Sequence, residues 1–138
     1  MSQDRATFLE LAQSRLDEAR LLLANGFSSG AYYLAGYAIE CALKAMIARQ
    51  FHADEIPDRR LVDRIYVHDL GKLLTLAGLK DPLDAEMETN SGLRERWSTV
   101  TTWSERARYE IWTEEGASAM IEAVGGEQGL LPWLQKRL

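Results

Sequence analysis

The 138-residue chain predicts an all-α fold, an antiparallel bundle of four to five helices with a short closing helix at the C-terminal end. Three observations predict it. Prolines occur only at Pro57, Pro82 and Pro132. Apolar residues recur mostly three and four positions apart, the period of a helix that buries one stripe. The breaks between periodic stretches are short, which favours antiparallel neighbours in a bundle.

The first helix is expected from about Asp4 to Ala24, with Phe8, Leu11, Ala12, Leu16, Ala19, Leu22 and Leu23 on its stripe. Asn25 and Gly26 then tolerate the left-handed conformation that ends a helix. Ser28 and Ser29 are candidate caps for a second helix from about Gly30 to Gln50. That helix is apolar most of the way round, as a central helix must be. Its small residues, Ala31, Ala35, Gly36, Ala38, Ala42 and Ala45, let neighbours approach closely. Pro57 with Asp54-Glu55 marks a loop, and Leu61, Val62, Ile65 and Tyr66 allow a short helical turn. A third helix is expected from His68 to Ala77, stopped by Gly78. Asp81-Pro82 reads as a cap followed by proline at the first helical position, opening a segment that ends near Asn90. Another segment begins near Ser91 and carries Leu93, Trp97 and Val100. Thr113 is the expected cap of the last long helix, and LLPWLQKRL forms the closing one.

No repeat, linker or low-complexity tract divides the chain, so one domain over residues 1–138 is expected. Hydrophobic content of 46% with 27% charged residues reads as globular. The net charge is −5, from 16 Lys+Arg and 21 Asp+Glu, which argues against a protein that coats DNA and for no sequence-specific DNA partner. One cysteine, Cys41, excludes an intrachain disulfide, and a reducing, cytoplasmic setting is the expectation. The charged opening MSQDRATFLELAQSRLDEAR is unlike a signal peptide, and no apolar run has the length of a membrane span.

Little chemistry of a recognisable type is on offer. The two histidines, His52 and His68, lie sixteen positions apart without a ligand repeat around them, so no metal is expected. There is no GxxxxGK[ST], GxGxxG or GxSxG, and no cofactor is expected. Cys41, among Ile39, Ala42 and Leu43, reads as a buried small hydrophobe. Glu40 and Lys44 stand four apart with the acid first, the order that suits an intrahelical ion pair. Their apolar neighbours suggest partial burial, which a specific role would justify. His68 reads either as a cap for a free amide at its helix start or as a neutral base beside a phosphate drawn to that end. The stretch from Leu93 to Trp112 holds three of the four tryptophans together with Arg94, Arg96, Arg106 and Arg108. Such interleaving serves a packed helix face, a surface that stacks bases and holds phosphates, or a subunit interface.

With these residues in view, the chain resembles the HEPN domain family. The likeness is carried by FLELAQSRLDEARLLLANG, by GAYYLAGYAIECALKAMIA with its acid and "LKA", by the histidine-led HDLGKLLTLAGL, and by WSTVTTWSERARY. The resemblance implies a HEPN-like helical bundle that forms a homodimer and belongs to prokaryotic toxin–antitoxin, defence or nucleotide-related systems. It implies a small nucleotidyltransferase as partner, and for many members metal-independent endoribonuclease activity. Ribonuclease members carry an arginine followed after four to six residues by a histidine. Here three residues separate Arg64 from His68, and seven separate Arg60 from it. The catalytic pair therefore does not carry over, whereas Glu40, Lys44, His68 and the Arg108-Tyr109 dipeptide do.

The leading expectation is a nucleotide- or RNA-binding module of a toxin–antitoxin-like pair. Arg106, Arg108 and Tyr109 are expected at phosphate and base, with Glu40 and Lys44 supporting them. A rearranged endoribonuclease using His68 as its catalytic group is the second reading. A non-catalytic bundle that docks a nucleotidyltransferase, through an apolar patch around Trp97 and Trp103, is the third.

Overall fold

The structure, a computed structural model, describes residues 5–50, 56, 59–60 and 68–137. Within them the chain forms α1 (Arg5–Ala24), α2 (Ser28–Ala48), α3 (Leu70–Leu76), α4 (Lys80–Met87) and α5 (Ser91–Val100). A single 3-10 helix (Glu105–Tyr109), α6 (Glu114–Gly125) and α7 (Leu130–Gln135) follow. No strand occurs among the described residues, and the helices pack as a bundle with α7 closing it.

α1 and α2 form a hairpin across a turn at 25–27. The amides of Asn25 and Phe27 both donate to the Leu22 carbonyl, at 3.1 and 2.9 Å. Gly26 takes φ +84°, a left-handed angle that favours glycine. α2 is the axle of the fold. Thirteen of its 21 residues are buried, and α1, α3, α6, α7 and the 3-10 helix all pack on it. Small residues permit this. A Cβ at Gly36 would overlap the indole of Trp103, so the ring lies flat against the helix backbone only because residue 36 has no side chain. The Trp103 Nε1 donates to the Tyr33 carbonyl at 2.9 Å, which fixes the chain just ahead of the 3-10 helix.

Beyond that helix, Trp112 stacks on Tyr32 with centroids 3.5 Å apart and planes 11° apart. The Tyr32 hydroxyl meets the Thr102 hydroxyl at 2.7 Å, and the Trp112 amide donates to Ser29 Oγ at 2.8 Å. The segment between α5 and α6 is thus pinned to one side of α2 at both ends. At the other end of the bundle, the Trp133 Nε1 donates to Glu86 Oε2 at 2.7 Å and joins α7 to α4.

Several local expectations are corrected. Ser28 and Ser29 lie inside α2 instead of capping it; Phe27 precedes the helix without a side-chain cap, and Ser29 serves Trp112. α2 ends at Ala48, two residues before Gln50. Pro82 occupies the third position of α4, which starts at Lys80 and stops at Met87, short of Asn90. Asn90 instead caps α5 by accepting from the Leu93 amide at 3.0 Å. His68 lies outside α3, whose cap is Asp69. The helical turn expected around Leu61, Val62, Ile65 and Tyr66 lies outside the described residues. Thr113 caps α6 as expected, accepting from the Gly116 amide.

Candidate functional site

α2 has one polar notch in its buried surface. Glu40 is 1% exposed, unlike any other charged residue among those described. Helical spacing places Lys44 one turn later, and its Nζ stands 3.3 Å from Glu40 Oε2. The other carboxylate oxygen reaches across to the chain entering α3, where Oε1 lies 2.8 Å from His68 Nδ1. A buried carboxylate is tolerable only when paired and hydrogen-bonded, and Lys44 and His68 meet that need from opposite sides. The spacing of Glu40 and Lys44 thus forms the expected, largely buried ion pair.

His68 is 40% exposed on its side chain, and its second nitrogen faces outward. There Nε2 meets Glu105 Oε2 at 3.3 Å, at the first residue of the 3-10 helix. The imidazolium form pairs with both carboxylates, whereas a neutral ring has one N–H to offer. The three groups form a chain through the ring. They do not converge on one point, and no grouping of donors suited to a metal occurs among the described residues.

A cleft of about 650 Å³ opens beside this chain. His68, Asp69 and Gly71, at the entry to α3, line it together with Trp103, Ser104, Glu105 and Arg106, at the entry to the 3-10 helix. Both segments are set locally. Asp69 accepts from the Lys72 amide at 2.9 Å to start α3. Ser104 accepts from the Arg106 amide at 3.2 Å to start the 3-10 helix. The α3 start is therefore capped by Asp69 and not by His68.

Arg106 lines the cleft with His68. Arg108 does not; it stands beside Tyr33, and its guanidinium lies 5.0 Å from the ring of Tyr109. Tyr109 is 79% exposed. Tyr33 and Tyr37 continue the α2 face from Glu40, with ring centroids 5.9 Å apart. Burial pushes the Tyr33 phenol above the ordinary tyrosine value; Arg108 opposes the shift and Glu40 adds to it. The structure therefore joins Glu40, Lys44 and His68 in one chain of contacts and puts Arg106 with His68 on the cleft, while Arg108, beside Tyr33, and Tyr109 lie outside that lining.

Glu105 escaped sequence reasoning as a site residue, and Trp103 was expected in a docking patch instead of beside the cleft. Glu105 is one of several acids in a charged stretch, and nothing local marks it as the one that meets a histidine 37 positions earlier. The tryptophans pack inward: Trp103 and Trp133 are buried, and Trp97 and Trp112 are half-buried against the core. No described helix is long and apolar enough to cross a membrane.

No curated protein and no solved structure matches the chain. The family model described as the HEPN domain matches residues 6–126, from the start of α1 to the end of α6. That span includes the α2 notch, His68 and the 3-10 helix, and by it the chain belongs to the HEPN domain family.

Proposed function

We propose that this chain is the nucleotide- or RNA-binding module of a toxin–antitoxin-like pair, without the usual arginine–histidine spacing of the ribonuclease members. HEPN domains are generally associated with ribonuclease and toxin–antitoxin systems and typically pair with nucleotidyltransferase antitoxins. One observation carries the reading to a place in the molecule. A buried carboxylate, Glu40, holds His68 by Nδ1, so that Nε2 faces a cleft that a guanidinium also lines. A fixed imidazole and an arginine lining one cleft are the donors that a phosphate oxygen needs. Arg108 and the exposed Tyr109 extend the surface toward a sugar or base. In this reading the protein works as a homodimer beside a small nucleotidyltransferase. Calorimetric titration with nucleotides and short RNA tests it. Binding is expected at low salt, and no binding of either at millimolar ligand removes the proposal.

The hold on His68 also favours a second reading, a metal-independent endoribonuclease. Cleavage of this type needs a positioned proton donor or acceptor and a cation for the phosphate. His68, oriented by Glu40, and Arg106 fit those roles. RNA cleavage persisting in EDTA and lost in His68→Ala would support it; cleavage that survives the substitution would not. For a non-catalytic docking bundle, Trp103 offers no surface because it is buried, whereas Trp97 is half-buried against the core.

A further inference from the structure

The two carboxylates on His68 are not equivalent. Glu40 is buried, sits in the middle of α2 and makes the shorter contact, 2.8 Å. Glu105 has a side chain 48% exposed, sits at the first position of a 3-10 helix and makes the longer one, 3.3 Å. Glu40 cannot leave without stranding Lys44 in a largely buried position. Glu105 can turn out into water, because its side chain is already half solvated and, among the described residues, is tied to this ring. Its carboxylate occupies the Nε2 face of His68, at the mouth of a cleft that Arg106 also lines. An anion is thus already seated against the imidazole, beside a cleft that Arg106 also lines.

We propose that Glu105 is an internal stand-in for the ligand's phosphate, seated against His68 Nε2 until a phosphate group displaces it. This rests on the reading of the cleft as a nucleotide or RNA site and deepens it. A carboxylate and a phosphate oxygen accept from the same imidazole N–H, so the two compete for one position. Once Glu105 swings out, the arriving phosphate gains both His68 and Arg106. The displacement sets the selectivity. A neutral ligand cannot replace a charged acceptor there, and the more highly charged phosphate outcompetes the carboxylate. The apparent affinity of the wild-type protein is the intrinsic affinity multiplied by the fraction of molecules in which Glu105 has left the position.

The test is calorimetric titration of the full chain with inorganic phosphate. Glu105→Ala is expected to bind phosphate on the order of tenfold more tightly than wild type, because the competitor is gone. Glu95→Ala removes an equal charge from the exposed face of α5 and is expected to change the affinity far less. Adding His68→Gln to Glu105→Ala should erase the gain. Circular dichroism of each variant checks that the helices are retained. If Glu105→Ala binds phosphate no better than wild type while RNA or nucleotide still binds wild type, the stand-in role is overturned and the functional reading survives. A gain matched by Glu95→Ala also overturns it, as an effect of net charge alone. If phosphate, nucleotides and RNA bind neither wild type nor Glu105→Ala, both proposals fall.

Discussion

Glu40 and Glu86 each hold a distant part of the chain in place, and each does so with a ring and a cation. Glu40 grips His68 at 2.8 Å and Lys44 at 3.3 Å. Glu86 accepts from the Trp133 indole at 2.7 Å and meets Arg137 at 3.5 Å. The ingredients are alike and the outcomes differ. In the second cluster the donors are engaged within the cluster itself. Arg137 lies flat over Trp133 at 3.6 Å and donates to that residue's carbonyl, while its own carbonyl accepts from Arg49 at 2.7 Å. The acid itself is 40% exposed on its side chain. In the first cluster the acid is buried and the ring looks out, with one nitrogen fixed and one facing a cleft. A buried acid with an outward histidine prepares a site; an exposed acid with partners engaged among themselves fastens a helix end.

The comparison predicts unequal penalties. Glu40→Ala leaves Lys44 and His68 without their shared carboxylate in a largely buried notch. Breaking such a pair from one side costs about 3–5 kcal/mol. Urea unfolding should show that loss in the midpoint. Glu86→Ala removes a half-exposed acceptor from the Trp133 indole and should cost about 1 kcal/mol. Equal penalties would mean that the two clusters do the same structural work.

Between those values falls Gly36→Ala. The added methyl meets the Trp103 indole, whose own hydrogen bond to Tyr33 holds it against the helix. Overpacking of this kind costs about 1–3 kcal/mol. The displaced ring should also change the near-ultraviolet dichroism of the folded protein. Because Trp103 is among the residues that line the cleft, the same change is expected to weaken ligand binding, whereas Glu86→Ala leaves binding intact.

How much of this was legible in the sequence divides along the same line. α1 and α2 were visible because their stripes are local, and their bounds differ from expectation by one or two residues. The Glu40–Lys44 pair was visible for the same reason, four positions on one helix. Ser29 was misread because its partner, the Trp112 amide, lies 83 positions away. His68 was placed inside the third helix, which starts only at Leu70, since a histidine and an aspartate side by side offer two candidate starts, and the contact of His68 with Glu40 leaves the cap to Asp69. The tryptophans from 97 to 112 suggested an outward surface. A glycine at residue 36 and a tyrosine at residue 32 admit two of the rings into the core, and no periodicity in their own segment signals that. Glu105 became visible only when the 3-10 helix crossed the α2 face.

The two arginines sharpen the contrast at the level of binding. Arg106→Ala should weaken RNA binding and reduce the slope of log affinity against log salt by about one, the signature of a lost phosphate contact. Arg137→Ala should leave that slope unchanged, because its guanidinium is held on Trp133. A salt slope insensitive to Arg106 would return the cleft to a purely structural role.

The smallest expected effect concerns Cys41, the neighbour of Glu40 on α2. Its thiol is 2% exposed and pushed up to about 12, chiefly by burial, with the Glu40 carboxylate adding to the shift and Lys44 opposing it. Unfolding restores ionisation near 9.0. Between these values the folded chain holds a proton that the unfolded chain has released, so stability is intact below 9.0 and falls as pH rises toward 12. The phenols of Tyr32, Tyr33 and Tyr37, all pushed upward by burial, act in the same direction. Cys41→Ala removes only the thiol's share, and its loss of stability with rising pH, followed by urea unfolding, should be shallower than that of wild type. Glu40→Gln removes the smaller cause and leaves burial untouched, so it should keep most of the wild-type steepness. If it instead matched Cys41→Ala, the charge of the notch would outweigh its burial, and the difference drawn between Glu40 and Glu86 would rest on electrostatics rather than on exclusion of water.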